Sequence, residues 1–256
     1  MKTNYFTAVK KPLYYGDNKR KVQDKVAIVR EDTKDCIGIV GPDFKIVDDN
    51  QLMDHFAGIT KKLGLKYNVI KRHELRGGKR TITEVEFPDM NMRVDKKDDI
   101  LHLRASIING YDGYSSAKLM FGFYRLVCKN GMVIGKKEMI IGYKHVGEVN
   151  TELVKGFELY LHKKIKESKE QISQLVSIKF ESENEIESIV EKTPVLGKTY
   201  TEHIMIALDK EKHAPRLSAW ALYNAYTYVI SNIMQINADA RLNKLKKLNI
   251  ASQDWR

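Results

Sequence analysis

Apolar and polar residues alternate along the central part of the sequence. The period of two is clearest in LKYNVIKRHEL (65–75), KRTITEVEF (79–87) and ILHLRASIIN (100–109). This period is typical of β-strands with one buried face and one solvent-exposed face. Gly77 and Gly78 separate the first two segments and predict a tight turn. The pattern therefore predicts an antiparallel sheet, which AKLMFGFYRLVC (117–128) and two further glycine-punctuated strands extend to about residue 146.

The residues before this region predict a hairpin and a helix. Short β-branched runs occur at 25–30 and 36–40, and a Gly-Pro-Asp turn precedes a further run at 44–47. A helix is predicted over about 51–63, because Leu52, Phe56, Ile59 and Leu63 recur at helical spacing and Asp48, Asp49 and Asn50 are N-cap candidates. Residues 1–24 show no sustained period and predict an N-terminal arm that becomes ordered only on a partner.

Helical patterns dominate after Gly147. An apolar stripe from Leu153 to Ile165 has lysines on its other side, residues 181–191 carry five glutamates and no basic residue, and 217–234 has the strongest helical period. The glutamate-rich segment is interpreted as a solvated helix face, with competition for the basic sheet as the alternative. The predicted fold is α+β, with an antiparallel β-sheet flanked by helices and a helical C-terminal part. The predicted domains are the arm at 1–24, a basic sheet region with one helix at 25–150, and a helical region at 151–256 packed on the sheet.

The basic excess changes this picture, because it is concentrated in the first 150 residues. The chain has a net charge of +11, and residues 60–80 hold eight basic residues against one acidic residue, Glu74. A surface of one sign attracts polyanions such as nucleic acid. The alternative is a solvated basic face that keeps the protein soluble. The candidate nucleic-acid-binding residues on the predicted strands and turns are Lys71, Arg72, Arg76, Lys79, Arg80, Arg125, Lys129, Lys136 and Lys137.

The loop from Asn109 to Ser116 adds candidate base contacts. Tyr111 and Tyr114 offer rings for stacking, whereas Asn109, Asp112 and Gly113 are expected to structure the loop. Two structural alternatives stay open. The loop is either a binding element or an Asx-type turn with packed tyrosines, and Arg125 is either a phosphate contact or a buried arginine paired with an acid.

Several classes of function lack local support. No run of about 18 apolar residues is present, and the basic N-terminus argues against a signal peptide. Histidine and cysteine spacings match no zinc motif, and the Gly131–Lys137 segment fails the phosphate-loop fingerprint. Cys36 and Cys128 are interpreted as reduced core thiols. No catalytic residue, metal or cofactor is therefore predicted, although an active site assembled across the fold stays open.

A series of segments resembles a known family. They are IGIVGPDFKIVDDNQL, LRGGKRT, INGYDGYSS, FGFYRLVCKNGMVIG, KHVGEV and SAWALYNAYTY. The series resembles the phage/plasmid-like family defined by a domain of unknown function, found in prophages, plasmids and phages. Gly110 and Tyr114 stand where that family usually has small hydroxyl residues. The order of helix, strands and helix between 50 and 170 also resembles the core of single-strand annealing recombinases, a likeness of topology alone.

These resemblances imply an origin in a mobile element and a location in the bacterial host cytoplasm. The expected function is single-stranded DNA binding and annealing in recombination, by a homo-oligomer that works beside a phage exonuclease or single-strand binding protein and has no membrane partner. The alternative is a protein-interaction or virion-associated protein, followed by a nuclease or hydrolase. The choice between DNA and RNA and the oligomeric state stay open.

Overall fold

The computed structural model describes residues 5–94, 99–114, 117–125, 130–133, 139–140 and 151–255. The predicted α+β class is confirmed. Nine strands are present in the described ranges: β1 (Ala8–Tyr15), β2 (Arg20–Arg30), β3 (Cys36–Val40), β4 (Asn68–Leu75), β5 (Arg80–Arg93), β6 (Ile100–Gly110), β7 (Lys118–Arg125), β8 (Asn130–Val133) and β9 (Met139–Ile140). The helices are α1 (Asp49–Lys62), α2 (Thr151–Ser177), α3 (Glu183–Lys192), α4 (Thr201–Asp209), α5 (Ala219–Tyr228) and α6 (Ala238–Ala251).

The strands form two antiparallel sheets in the described part of the chain. The first has the order β1-β2-β3, and its register pairs Ala8 with Arg30 and Val26 with Val40. The second has the order β4-β5-β6-β7-β8, with β9 also pairing with β7. The alternating segments at 65–75, 79–87 and 100–109 thus correspond to β4, β5 and β6. Residues 44–47 form no strand.

By contacts the chain divides into two compact units, at positions different from the predicted domain boundaries. Unit 1 comprises Met1–Val85, Ser106–Leu119 and Met139–Glu158. Unit 2 comprises Glu86–Ala105, Met120–Glu138 and Leu159–Arg256. The segment predicted as an arm, 1–24, contains β1 and the first part of β2.

The core of unit 1 lies between the three-stranded sheet and the residues that follow β6. Phe6, Ile28, Ile37, Val40 and Tyr111 form one buried cluster. Gly38 is required at this contact, because a Cβ atom there would lie 2.4 Å from the carbonyl oxygen of Tyr111. The backbone of β3 can therefore approach the end of β6 closely only through a glycine.

Unit 2 is built around helix α5, which is buried over Ala219–Thr227. A helix that is apolar all round belongs in a core. Trp220 stacks on Tyr223 with an interplanar angle of 7°, and Trp255 packs edge-on against Tyr223. Ser218 caps the helix by accepting a hydrogen bond from the Ala221 N–H at 3.2 Å. A five-residue π-helical segment, Val229–Ile233, follows α5.

Two smaller expectations have different outcomes. The glutamate-rich segment is the solvated face of α3, since Glu183, Glu187 and Glu191 are exposed. The prediction of a core thiol at Cys36 is wrong, because Cys36 is the first residue of the edge strand β3 and its side chain is exposed. Cys128 lies outside the described residues.

Candidate nucleic-acid interface

Strand β4 and the turn between β4 and β5 together present three cations to solvent. Leu75 O accepts a hydrogen bond from Gly78 N–H at 3.1 Å, and Arg76 and Gly77 both have left-handed φ angles, of 53° and 68°. This geometry matches a type I′ hairpin turn. Lys71, Arg76 and Lys79 are exposed, and among the described residues no carboxylate pairs with them. Three of the predicted binding residues are therefore available to an anionic ligand.

The neighbouring Arg72 has a different environment. Consecutive residues of a strand point to opposite faces, so Lys71 and Arg72 cannot share one surface. The Arg72 side chain is only 8% exposed, and its Nη2 lies 2.7 Å from Asp49 Oδ2. It also pairs with Glu74. Arg80 is half-buried, with its Nε atom buried. In this conformation Arg72 is part of the protein interior.

Asp49 is the centre of a buried network in unit 1. Besides Arg72, its carboxylate accepts hydrogen bonds from Thr81 Oγ1 at 2.8 Å, Asn109 Nδ2 at 3.0 Å and the Tyr111 hydroxyl at 3.3 Å. Its own N–H donates to the Tyr111 oxygen at 3.1 Å. One carboxylate at the start of α1 thereby links β4, β5 and the end of β6. We assign this network a structural role, because buried polar groups require such partners.

A second branch of ion pairs extends from Arg30. Its guanidinium donates to Asp32 Oδ2 at 2.7 Å and to Glu74 Oε2 at 2.7 Å, and it lies 4.0 Å from the centroid of the Phe6 ring. The hydrogen bond from Arg30 lowers the pKa of Asp32 to about 2. Burial raises the pKa of Glu74, but hydrogen bonds from Arg72 and Arg30 outweigh this and place it below its ordinary value.

These shifts predict an acid-sensitive contribution to stability. Because the folded-state pKa values of Asp32 and Glu74 lie below their unfolded values, their stabilising effect is present above about pH 4 and is lost as the pH falls toward 2. An NMR titration of side-chain carboxyl carbons is expected to give Asp32 a pKa of about 2. Arg30→Gln should return Asp32 to the ordinary value for aspartate, and the matched control Arg20→Gln should not. An Asp32 pKa that is ordinary in the wild type would refute the pairing.

The loop after β6 is held by its own polar side chains. Asn109 Nδ2 also donates to Val47 O at 2.7 Å, and Asp112 Oδ1 accepts from the Tyr114 N–H at 3.0 Å. Gly113 has a φ of 79°. Tyr111 is 1% exposed, and burial together with the nearby Asp49 raises the pKa of its hydroxyl. Tyr114, by contrast, is 93% exposed. Of the two predicted stacking residues, the structure leaves only the Tyr114 ring accessible.

Arg125 lies in the interior of unit 2. It makes a bidentate pair with Asp99, at 2.5 Å from Nε and 2.7 Å from Nη2, and its Nη1 lies 2.6 Å from Glu211 Oε2. The Trp220 Nε1–H donates to Asp99 Oδ2 at 3.1 Å. Burial alone would lower the pKa of Arg125, but the two carboxylates more than offset this and raise it. This is the buried, acid-paired arginine of the alternative interpretation. Lys129, Lys136 and Lys137 lie outside the described residues.

The outer part of the β1–β2 hairpin, residues 13–25, was predicted as irregular chain and not as strands; from here on, the arm denotes these residues alone. Tyr14 and Tyr15 are 54% and 59% exposed, and register places Tyr14 opposite Lys21 and Tyr15 opposite Arg20. Lys19 is exposed in the connecting turn. Both faces of the arm are solvated, so it has no apolar period. The sequence feature that could have indicated a binding element there is the close spacing of tyrosines and basic residues.

In the described part of the chain, no group of three or more His, Cys, Asp or Glu side chains is arranged to hold a metal ion. Among the helices described, none has the length and apolar character needed to cross a membrane.

Comparison with known proteins identifies a family. Residues 36–251 match the model of the domain of unknown function DUF932. A stretch of 72 residues, 27% of this chain, is 29% identical to the UPF0380 protein YfjQ of Escherichia coli strain K12 and covers 26% of that protein. No solved structure matches. Since the match to the domain model extends over most of the sequence, the chain belongs to the DUF932 family.

Proposed function

We propose that this protein binds nucleic acid without covalent chemistry, with single-stranded DNA as the ligand and annealing in recombination as the activity. The observation that carries the proposal is that Lys71 on β4 and Arg76 and Lys79 in the β4–β5 turn are exposed and that none of them pairs with a carboxylate among the described residues. A mobile-element origin, a bacterial cytoplasmic location and homo-oligomerisation belong to the same proposal. Adjacent protomers would lengthen the cationic surface along one strand.

The physical basis is attraction to phosphate. Each lysine or arginine that neutralises a phosphate releases condensed counterions, so the affinity falls steeply with salt. Contacts confined to the backbone leave base edges free, which annealing requires because a second strand must test pairing. The exposed Tyr114 ring adds a face on which one base can stack.

A salt-titrated anisotropy assay with a labelled single strand tests the proposal. The triple variant Lys71→Ala/Arg76→Ala/Lys79→Ala is expected to bind more weakly, and its salt slope should be smaller by about 2, since each single-strand phosphate contact contributes about 0.7. The matched control is Lys163→Ala/Lys166→Ala/Lys169→Ala on α2, which removes the same charge from exposed positions. Equal losses in both variants would mean that net charge, not this surface, attracts the strand.

The alternatives give different results in the same experiment. A protein-interaction or virion-associated protein would show no binding of the strand even at about 50 mM salt, and this result overturns the proposal. A nuclease would degrade the labelled strand in the presence of magnesium. Annealing itself is measured as faster pairing of two complementary labelled strands in the presence of wild-type protein than with the triple variant.

A further inference from the structure

We infer that the arm, residues 13–25, holds unpaired bases of a single-stranded nucleic acid on Tyr14 and Tyr15. The inference rests on the proposed function and adds to it the residues that hold the bases and select for unpaired ones. It concerns a part of unit 1 separate from the β4–β5 turn.

The arm has only two strands in the described structure. β3 pairs with β2 over Val26–Val29, so the preceding part of β2, from Arg20 to Lys25, is paired with β1 only or with nothing. Six residues of extended chain reach roughly 20 Å. Within the arm, Leu13 and Val22 are half-buried and the other residues are exposed. The arm thus extends beyond the three-stranded part of its sheet and can be approached from both faces.

Each tyrosine of the arm lies beside a cation. Residues directly opposite in an antiparallel pair share a face, so Tyr14 and Lys21 lie on one face and Tyr15 and Arg20 on the other. In the described residues neither ring contacts another aromatic ring or a cation, and no carboxylate pairs with Lys19, Arg20 or Lys21. Both the rings and the charges are therefore available to a ligand.

This combination fits a single strand. A ring next to a cation can stack on a base while the cation contacts the adjoining phosphate, and base stacking on aromatic side chains does not depend on base identity. The arm carries four basic and two acidic residues, which gives it a local charge of +2. In a duplex the base faces are already stacked on each other, so the tyrosines select for unpaired bases.

The arm is poorly suited to a membrane surface. Its turn, Gly16-Asp17-Asn18-Lys19, is polar and includes an acidic residue. A membrane-inserting tip requires apolar side chains at the end that enters the lipid. The favourable partner is therefore a ligand that supplies both negative charge and flat aromatic faces.

The test compares two oligonucleotides of equal length, oligothymidylate and an abasic strand with the same phosphates. Tyr14→Ala/Tyr15→Ala is expected to weaken oligothymidylate binding by about 30-fold or more, because two stacked bases are lost and each contributes roughly 1 to 3 kcal/mol. Its affinity for the abasic strand should not change. Tyr14→Phe/Tyr15→Phe keeps the rings and should bind like the wild type. Lys19→Ala/Arg20→Ala/Lys21→Ala should weaken binding of both strands.

The failures of the two proposals can be told apart. If the wild type binds neither strand, the proposed function fails and the inference fails with it. If the wild type binds oligothymidylate and the double alanine variant binds it equally well, the arm inference fails while the proposed function stands. Wild-type binding to phosphatidylglycerol vesicles that is lost in the double alanine variant, with strand binding retained, would also overturn the inference. Far-ultraviolet circular dichroism verifies that each variant is folded.

Discussion

Replacing Asp49 by alanine is expected to lower the free energy of unfolding by about 3 to 5 kcal/mol, the range for removing one partner of a buried ion pair. The side chain of Asp49 is 4% exposed and that of Arg72 is 8% exposed. Its removal takes away Oδ2, the oxygen that accepts from both Nε and Nη2 of Arg72, and deprives Thr81 and Asn109 of their acceptor Oδ1. Each buried donor left unsatisfied adds its own desolvation cost. Urea unfolding followed by circular dichroism measures the loss.

Two further variants distinguish the contribution of the Asp49 network to stability from that of helix α1, which carries Asp49. Asp54→Ala removes an exposed aspartate from the same helix and should change stability by at most about 0.5 kcal/mol. Asp49→Ala combined with Arg72→Met removes both charges and should recover part of the loss, because no uncompensated buried charge remains. A single Asp49→Ala variant as stable as Asp54→Ala would contradict the network.

Several of the elements that were predictable from sequence have one buried and one solvated face. Alternation identified β4, β5 and β6, and Gly77–Gly78 identified their first turn, because burial of one face imposes a period of two. The same reasoning identified α1 from its apolar stripe, and Gly64, with a φ of 66°, follows the C-terminal end of this helix. The strands of the arm were predicted as irregular chain for the converse reason. Both of its faces are solvated, so no period distinguishes a strand there from irregular chain.

The candidate site was less predictable than the fold, because the charge of a residue does not indicate whether it is exposed or paired with another residue of the chain. Arg72 and Lys71 are neighbours in sequence and equally basic, yet one is buried against Asp49, 23 positions away, and the other is exposed. Similarly, Arg125 meets Glu211 across 86 positions. Such pairings depend on which strand packs against which helix. The spacing of residues along the sequence does not predict this. The alternation of the strand did exclude a common surface for Lys71 and Arg72, and this constraint was available from sequence.

Replacing Arg125 by methionine is expected to destabilise the protein by at least about 3 to 5 kcal/mol. The side chains of Arg125, Asp99 and Glu211 are all no more than 3% exposed. Methionine fills part of the volume but leaves two carboxylates buried without a countercharge. Urea unfolding curves of the wild type and of the variant measure this loss of stability.

Two comparisons distinguish a structural role of Arg125 from a role as a phosphate contact. Arg125→Lys keeps the charge but loses the bidentate geometry with Asp99. Its free energy of unfolding should therefore lie between that of Arg125→Met and that of the wild type. Lys163→Met removes a charge from a side chain that is 71% exposed and should leave stability nearly unchanged. If Arg125→Met instead kept full stability and lost affinity for a single strand, Arg125 would be a ligand contact. Because its three polar nitrogens are already occupied by two buried carboxylates, the expected result is the reverse: loss of stability, with the strand affinity of the fraction that remains folded unchanged.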